Sequence, residues 1–198
     1  MSEHRYEAQA KAARGWWTEL GLRPAVGDQP VRPGDRASLA QLRRADNLLE
    51  AASVPVTIEL FRKLEFDRRH AARDLPRAAL VAAVLAHVRE DDRNRPIASA
   101  IGQPRAGADS TALITPLRFK RIVAARTPGD LLVRLRRVVA ILDKTANVKD
   151  LARQLLAFTD PDHDYAERAR VMFAFAYHDA EGHAPNADPA SATEPATA

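Results

Sequence analysis

The stretch LRFKRIVAARTPGDLLVRLRRVVAILDKTANVKDLARQLLAF, residues 117–158, decides the fold class. It interleaves ten Lys and Arg residues and three Asp residues with an unbroken helical pattern of apolar residues. At about 100° per residue, one side of its central helix carries the apolar residues Leu131, Leu132, Leu135, Val138, Val139 and Leu142. Another side carries Arg134, Arg137 and Lys144, and a polyanion is the partner that this basic stripe favours.

Cap signals divide this stretch into three helices. Thr115 and Thr127 each precede a proline, and Asn147 precedes the third apolar run. A side-chain oxygen at such a position accepts a hydrogen bond from the first helical turn, and proline fits the first helical position. The pattern predicts helices at about 116–125, 128–144 and 148–157, and a last helix at about 162–178.

The first hundred residues alternate in the same way between helical patterns and Pro, Gly, Ser or Asp. Gly21 ends the first helix, Asp35 caps the second and Ser53 opens the third, while Asp74 with Pro76 starts a fourth. The predicted helices are 4–20, 36–51, 55–64, one from residue 74 with an apolar face through residue 88, and a short turn at 96–101. Residues 24–34, rich in Pro and Gly, predict a mobile loop.

No stretch shows four or more residues of strand alternation, so the predicted fold is all-α, with about eight helices in two small bundles or halves. The predicted division is an N-terminal helical half at 1–102, a linker loop at 103–114, a C-terminal helical bundle at 115–178 and a tail at 179–198. The tail is acidic, rich in Ala and Pro and without large apolar residues, which predicts disorder.

Composition excludes several classes of protein. The chain has no Cys, so disulfides, thiolate catalysis and Cys-based zinc sites are excluded. No apolar run is long enough to span a bilayer, and the N-terminal residues lack the apolar core of a signal peptide, so we expect a cytoplasmic protein without a membrane partner. Without the acidic tail the chain has 30 basic and 22 acidic residues, which favours nucleic acid as the partner.

Enzymatic motifs are missing from the sequence. It has no Gly-x-Ser-x-Gly elbow, no phosphate-binding loop and no Gly-x-Gly-x-x-Gly motif, and its six His residues are scattered. The acidic cluster DPDHD at 160–164 contains Pro161 and predicts a helix start, where acids complement the helix dipole, rather than a metal site. We therefore expect no catalytic residue, no cofactor and no metal.

A second basic face lies in GDRASLAQLRRADN, residues 34–47. At helical angles Arg36, Arg43 and Asn47 share one line with Arg44 beside it, and the apolar residues face away. For one helix alone, a solvated surface would explain such a face equally well. Two strongly basic faces in one small chain favour a functional interpretation.

Five segments in a fixed order carry a resemblance to a known family. They are GWWTEL at 15–20, GDRASLAQLRRA at 34–45, LRFKRIVAA at 117–125, LLVRLRRVVAIL at 131–142 and NVKDLARQLLAF at 147–158. In this order and spacing the chain resembles, over about residues 15–178, the CasB family, the small subunit of the type I-E CRISPR surveillance complex Cascade. The last helix departs from the family, because it lacks the tryptophans expected around its start.

The resemblance implies a non-catalytic, all-helical subunit that lies as a head-to-tail pair along the belly of the complex. Its implied partners are the backbone and large subunits, the guide RNA, the target DNA with its displaced strand, and a second copy of itself. Contacts with the nucleic-acid backbone help to form an R-loop, the state in which guide RNA pairs with one DNA strand, without reading sequence.

The candidate residues follow from the two basic faces and from the aromatic pair. The candidates for nucleic-acid binding are Arg36, Arg43, Arg44, Arg118, Lys120, Arg121, Arg134, Arg137, Lys144 and Lys149. Trp16 and Trp17 lie about 100° apart on a helix, so one is expected in the core and the other at a margin that contacts a partner subunit. Arg136 points away from its basic neighbours and is expected in an intrahelical or intersubunit ion pair.

Two other functions stay open from the sequence. Residues 128–157 form a helix-turn-helix-like pair, as in a free-standing DNA-binding regulator, although the joining residues 144–147 contain no Gly. A helical adaptor that binds only protein is the other alternative. A regulator would select one sequence from random duplexes, and an adaptor would bind no nucleic acid.

Overall fold

The computed structural model describes residues 2–21, 34–104 and 112–182. Within these ranges the fold is all-α, as predicted from the sequence. Its helices are α1 (Ser2–Leu20), α2 (Arg36–Arg44), α3 (Leu48–Ala52), α4 (Pro55–Lys63), α5 (Ala71–Leu85), α6 (Ile97–Gly102), α7 (Pro116–Val123), α8 (Pro128–Ile141), α9 (Val148–Phe158) and α10 (His163–Gly182). A 3-10 turn at Arg68–His70 precedes α5.

Helix α5 is the centre of the molecule. Its sequence AARDLPRAALVAAVL is apolar on all sides in its second half, and residues 78–86 are all fully buried. A helix without a polar face must be surrounded by other helices, and α2, α3, α4, α8 and α9 all pack against α5. Helices of both predicted halves therefore contribute to one hydrophobic core.

The outer helices bury one stripe each. Helix α1 places Tyr6, Ala10, Ala13, Trp16 and Leu20 in the core and packs against α4 and α9. Helix α10 packs against α6 and α9. Helices α6 and α10 approach each other closely at Gly102, where a Cβ would overlap the backbone carbonyl of Tyr177.

A buried polar network joins three of these helices. Arg77 of α5 is 3% exposed, and its guanidinium donates to Asp74 at 3.0 Å, to the Tyr6 hydroxyl at 3.1 Å and to the carbonyl of Leu156 at 3.0 Å. Burial opposes ionisation of Asp74, but the hydrogen bonds from Arg73 and Arg77 outweigh it and hold the pKa of this carboxyl below its usual range. The network satisfies the buried charges with hydrogen bonds.

Two short strands connect the halves. Strand β1 (Glu90–Asp91) pairs in parallel with β2 (Thr145–Ala146), with Glu90 opposite Thr145 and Asp91 opposite Ala146. The Asp91 carboxylate also accepts hydrogen bonds from Arg14 Nε at 2.6 Å and from the backbone N–H of Val148 at 3.1 Å. This pairing fixes the segment after α5 beside the link between α8 and α9.

Of the three caps predicted at Thr115, Thr127 and Asn147, the last two are confirmed, whereas the Thr115 side chain makes no capping hydrogen bond at the start of α7. Thr127 accepts a hydrogen bond from the backbone N–H of Asp130 at 3.1 Å, and Asn147 accepts one from Asp150 at 2.9 Å. Asp162 accepts from the backbone N–H of Tyr165 at 3.2 Å, so the DPDHD segment does start a helix. These caps satisfy backbone donors that have no partner inside the helix.

The second predicted helix is wrong in its extent, because it is two helices. Helix α2 ends at Arg44, and Asn47 caps α3 by accepting a hydrogen bond from the backbone N–H of Glu50 at 3.0 Å. The Glu50 carboxylate in turn accepts from the backbone N–H of Asp46 at 2.8 Å. This reciprocal capping box restarts the helix, so Asn47 does not continue the basic line of Arg36 and Arg43.

Other predicted boundaries also differ. Helix α8 ends at Ile141 rather than at residue 144, so Lys144 lies beyond the helix that carries Arg134 and Arg137. Helix α5 begins at Ala71 rather than at Asp74, with Pro76 inside it. Helix α10 continues to Gly182 instead of ending at residue 178, and Ala180 is 7% exposed. The helix therefore includes the first residues of the segment predicted as tail.

Most of the predicted loop, linker and tail lies outside the described residues, at 22–33, 105–111 and 183–198. The described ends of the linker are joined by a bridge between Pro104 and Ala112, and Ile114 is buried. Among the described helices none is both long and apolar enough to cross a membrane.

Candidate nucleic-acid interface

Helix α7 presents basic residues because its apolar residues face inwards. Phe119 and Ile122 are each 4% exposed, and the Phe119 ring stacks on Tyr177 of α10 with 3.8 Å between centroids. The neighbours of these anchors then point outwards, and Arg118, Lys120 and Arg121 are exposed. The core packing of α7 thus fixes its basic face.

Helix α8 follows the same rule. Its buried residues are Leu131, Leu132, Leu135, Val138 and Val139. Arg134 and Arg137 stand one turn apart on the other side of the helix, the first half-buried and the second exposed. The predicted apolar and basic sides of this helix are both present in the structure.

Helices α7 and α8 enclose one groove of about 360 Å³. Its basic lining residues are Arg118, Arg121, Arg134 and Arg137, and its apolar lining residues are Ile114, Ile122, Val138, Ala140 and Ile141. Four of the predicted nucleic-acid-binding residues are therefore brought together, although they come from two helices. We call this feature the arginine groove.

The charge of the arginine groove is not compensated within the described part of the chain. None of its four guanidinium groups has an ion pair or hydrogen bond with a described residue, whereas twelve ion pairs occur elsewhere in that part. Arg134 Nε is buried and has no acceptor. The guanidinium groups that line the groove without such bonds can donate to an anionic ligand.

A second basic cluster surrounds His87 at the end of α5. Arg43 of α2 donates a hydrogen bond from Nε to the carbonyl of Ala86 at 2.6 Å. Burial, together with the positive charges of Arg136, Arg43 and Lys144, lowers the pKa of His87 from about 6.5 to about 4. His87 Nε2 is buried without a partner, so a neutral imidazole lies among three cations.

The link after α8 holds Lys144 in this cluster. Asp143 and Lys144 have φ angles of 52° and 66°, in the left-handed region. The carbonyl of Lys144 accepts a hydrogen bond from the backbone N–H of Arg89 at 2.8 Å. Lys144 from the second half of the chain and Arg43 from the first half therefore lie on the same basic surface.

Arg136 is bonded within its own chain. Its guanidinium donates to the carbonyls of Ala45 at 2.6 Å and Leu42 at 2.9 Å, at the end of α2. Burial lowers the pKa of Arg136, although the charges of Asp46 and Glu50 oppose that effect. Arg136 thus joins α8 to α2 through carbonyl acceptors.

The sequence profile of the CRISPR-associated protein Cse2 matches residues 38–178. The chain belongs to the Cse2 family. This family is the one also called CasB, so the resemblance drawn from the five sequence segments is confirmed.

One solved structure shows the same fold as this Cse2-family chain. A chain in the crystal structure of E. coli Cascade bound to a PAM-containing dsDNA target is similar with a TM-score of 0.54. The two chains are 19% identical, and the match covers 85% of this chain and 95% of that chain. Among curated proteins, none has a significant sequence match.

Other candidate residues of the Cse2-family chain stand apart from the groove and from the His87 cluster. Arg36, at the start of α2, and Lys120 are exposed, and no described contact joins them to either feature. Arg44 is also exposed and donates from Nε to the carbonyl of Ala40 one turn earlier, at 3.1 Å. These three residues extend the basic surface but do not form a defined binding site.

Lys149 lies on a different groove, of about 450 Å³. Its ammonium pairs with Glu7, and the same groove contains the ion pairs of Arg14 with Asp91 and of Arg153 with Asp150. The charges there are mixed and mostly paired. The structure therefore does not bring Lys149 together with the arginine groove.

The two adjacent tryptophans differ in burial. Trp16 is 1% exposed and donates from its indole N–H to the carbonyl of Val56 at 2.9 Å. Trp17 is half-buried and donates to the carbonyl of Val88 at 3.3 Å. Trp16 offers almost no surface to another subunit, so an interface role in the Cse2-family chain rests on Trp17.

Sequence reasoning missed two features of this surface. The apolar residues of the groove floor gave only the signal of core residues in the sequence. Ile114 lies far along the chain from Val138 and Ile141, so their meeting in one groove could not be predicted. His87 gave no signal, since the three cations around it come from separate segments. A helical plot of one segment cannot reveal neighbours that another segment supplies.

Helix α9 is not available as a recognition helix. All of its residues are buried or half-buried, and it packs against α1, α5 and α10. A recognition helix must expose side chains that reach base edges in the major groove. This burial argues against the alternative of a free-standing regulator that reads DNA with the 128–157 helix pair.

Proposed function

We propose that this Cse2-family chain is a non-catalytic small subunit of a Cascade surveillance complex. In this role its basic surface binds the nucleic-acid backbone without reading sequence. It stabilises the hybrid of guide RNA with target DNA and the displaced DNA strand. The proposed setting is antiviral defence in the cytoplasm.

The observation that carries the proposal is the arginine groove. Four arginines from α7 and α8 line one groove, and no described residue compensates their charge. Arginine guanidinium groups match phosphate oxygens with two parallel hydrogen bonds. Such contacts neutralise phosphates and release counterions, so they contribute affinity that does not depend on sequence.

A second support is the continuity of the basic surface across both halves of the chain. The charges of Arg43 and Lys144 both lower the pKa of His87. Lys144 follows α8, the helix that supplies Arg134 and Arg137 to the groove. A continuous basic surface of this kind can contact several successive phosphates of a nucleic-acid backbone. The solved chain with the same fold belongs to Cascade bound to a dsDNA target, which agrees with this role.

Contacts that contribute little free energy are sufficient for the proposed role. In R-loop formation the heteroduplex gained is about as stable as the duplex lost, so protein contacts to the backbone decide the balance. The proposed protein partners are the backbone and large subunits of Cascade and a second copy of the chain. Half-buried Trp17 is the proposed contact with a protein partner.

Co-expression tests the proposal. The chain, tagged for purification, is co-expressed with the other Cascade subunits of its host and a guide RNA. We expect the guide RNA and the other subunits to co-purify with it. Recovery of the chain alone would contradict the proposal, and enrichment of one sequence from random duplexes would support the regulator instead.

A further inference from the structure

We infer that the arginine groove accepts the base of an unpaired nucleotide, so that its ligand is single-stranded nucleic acid rather than a duplex backbone. This inference rests on the proposed function and specifies which nucleic acid the groove takes. It follows from the floor of the groove, from its rim and from its size.

The floor of the groove is apolar. Ile114, Ile122 and Val138 line it and are each less than 5% exposed, and Ala140 and Ile141 complete it. A phosphate group gains nothing from such a floor, because contact with aliphatic carbon does not replace its hydrogen bonds to water. The face of a nucleobase is largely apolar and can lie on it.

The rim of the groove fits the rest of a nucleotide. A guanidinium plane can stack on a base, and its N–H groups can bind the phosphate that follows. Among the described residues that line the groove none is aromatic, so the stacking partner here is arginine. The four arginines that line the groove supply its hydrogen-bond donors.

The size of the groove suits one nucleotide. Its volume of about 360 Å³ lies near the lower end of the range of roughly 300–1,000 Å³ for sites that bind small ligands. A paired base in a duplex is stacked on both faces and cannot enter such a groove, whereas an unpaired base can turn out of the strand. The groove therefore favours single strands and tolerates any base.

The test compares two ligands of equal charge. Fluorescence anisotropy with the full-length chain measures the affinity for a labelled oligothymidylate and for an abasic deoxyribose-phosphate chain with the same number of phosphates. We expect the oligothymidylate to bind roughly fivefold to tenfold more tightly. A backbone-only groove would bind both ligands equally.

A variant that fills the groove gives the second arm. Ala140 is exposed on α8 and lines the groove, so Ala140→Leu narrows the floor without changing the charge. We expect it to weaken the binding of the oligothymidylate more than that of the abasic chain, so that the preference for bases is lost. Val133→Leu is the matched control, because Val133 is 50% exposed on the same helix outside the groove.

The outcomes separate this inference from the proposed function. Equal binding of the two ligands by the wild-type chain would overturn the inference and leave the backbone-binding role intact. Absence of binding to both would contradict the proposed function as well. Displacement of oligothymidylate by a peptide rich in Leu and Glu, with Ala140→Leu binding single strands normally, would assign the groove to a protein partner and overturn the inference.

Discussion

Arg43 donates a hydrogen bond of 2.6 Å from its Nε atom to the backbone carbonyl of Ala86, where helix α5 ends. This bond places the basic face of α2 next to His87. The charges of Arg136 and Lys144 also act on His87 and lower its pKa. Two basic segments that are separated by about a hundred residues of sequence are thus parts of one surface.

Arg136 should stabilise the fold rather than bind nucleic acid. Arg136→Ala removes the donors for the carbonyls of Leu42 and Ala45. We expect the free energy of unfolding in urea to fall by about 2 kcal/mol, since hydrogen bonds to charged groups contribute about 1.5–3 kcal/mol. Arg137→Ala on the same helix is the control and should change stability little, so equal losses in the two variants would contradict this role.

His87 should make the fold less stable in mild acid. Its pKa is about 4 in the folded chain and near 6.5 when unfolded, so between these values the unfolded state binds more protons. Stability should therefore be complete above about pH 6.5 and decrease as the pH falls towards 4. The cause is the cost of a charged imidazole that is partly buried beside Arg43, Arg136 and Lys144.

Urea unfolding of wild type and His87→Leu at several pH values between 4.5 and 7.5 checks this. The variant should lose part of the pH dependence, and the difference between the two proteins should shrink or reverse as the pH falls. An identical pH dependence in wild type and His87→Leu would exclude His87 as the source.

Gly102 should be required for the contact between α6 and α10. A Cβ there would overlap the carbonyl of Tyr177, so Gly102→Ala should destabilise the fold by about 1–3 kcal/mol. A Cβ at Gly15 of α1 would meet no neighbouring group within 4 Å, and Gly15→Ala should stabilise by about 0.5–1 kcal/mol. Thermal unfolding of the two variants should give shifts of opposite sign, and shifts of the same sign would contradict the packing described.

Lys144 and Lys149 should differ in their contribution to nucleic-acid binding, although they are only five residues apart in the sequence. Lys144 is exposed beside two arginines, whereas Lys149 pairs with Glu7. Lys144→Ala should weaken single-strand binding and lower the salt slope by about 0.7, the value for one phosphate contact. Lys149→Ala should change both quantities less, and anisotropy titrations at several salt concentrations measure the difference.

Local chemistry predicted much of the fold. The caps at Thr127 and Asn147 depend only on neighbouring residues and are confirmed. The split between α2 and α3 also had a local signal, the pairing of Asn47 with Glu50, but the continuous apolar pattern concealed it. The extension of α10 beyond residue 178 had no signal in the apolar pattern, although Ala180 in this extension is buried.

The candidate site was predictable only in part. The basic sides of α7 and α8 follow from helical periodicity, since Phe119 and Val138 must face the core. That the two sides meet in one groove depends on tertiary packing, as do the pairing of Lys149 with Glu7 and the bonds of Arg136 to α2. Helical periodicity predicts which side of a helix is basic, but it does not predict which other helix packs beside that side.

The most direct test of the central claim is the target-DNA affinity of the reconstituted complex at several salt concentrations. The variant chain carries Arg134→Ala, Arg137→Ala and Lys144→Ala together. Its control carries Arg62→Ala, Arg68→Ala and Arg69→Ala, which remove equal charge from exposed residues that precede α5, whereas His87 follows it. We predict weaker binding and a salt slope lower by about 2–3 in the first variant only. Unchanged affinity and slope in that variant would contradict the claim that this surface binds the nucleic-acid backbone.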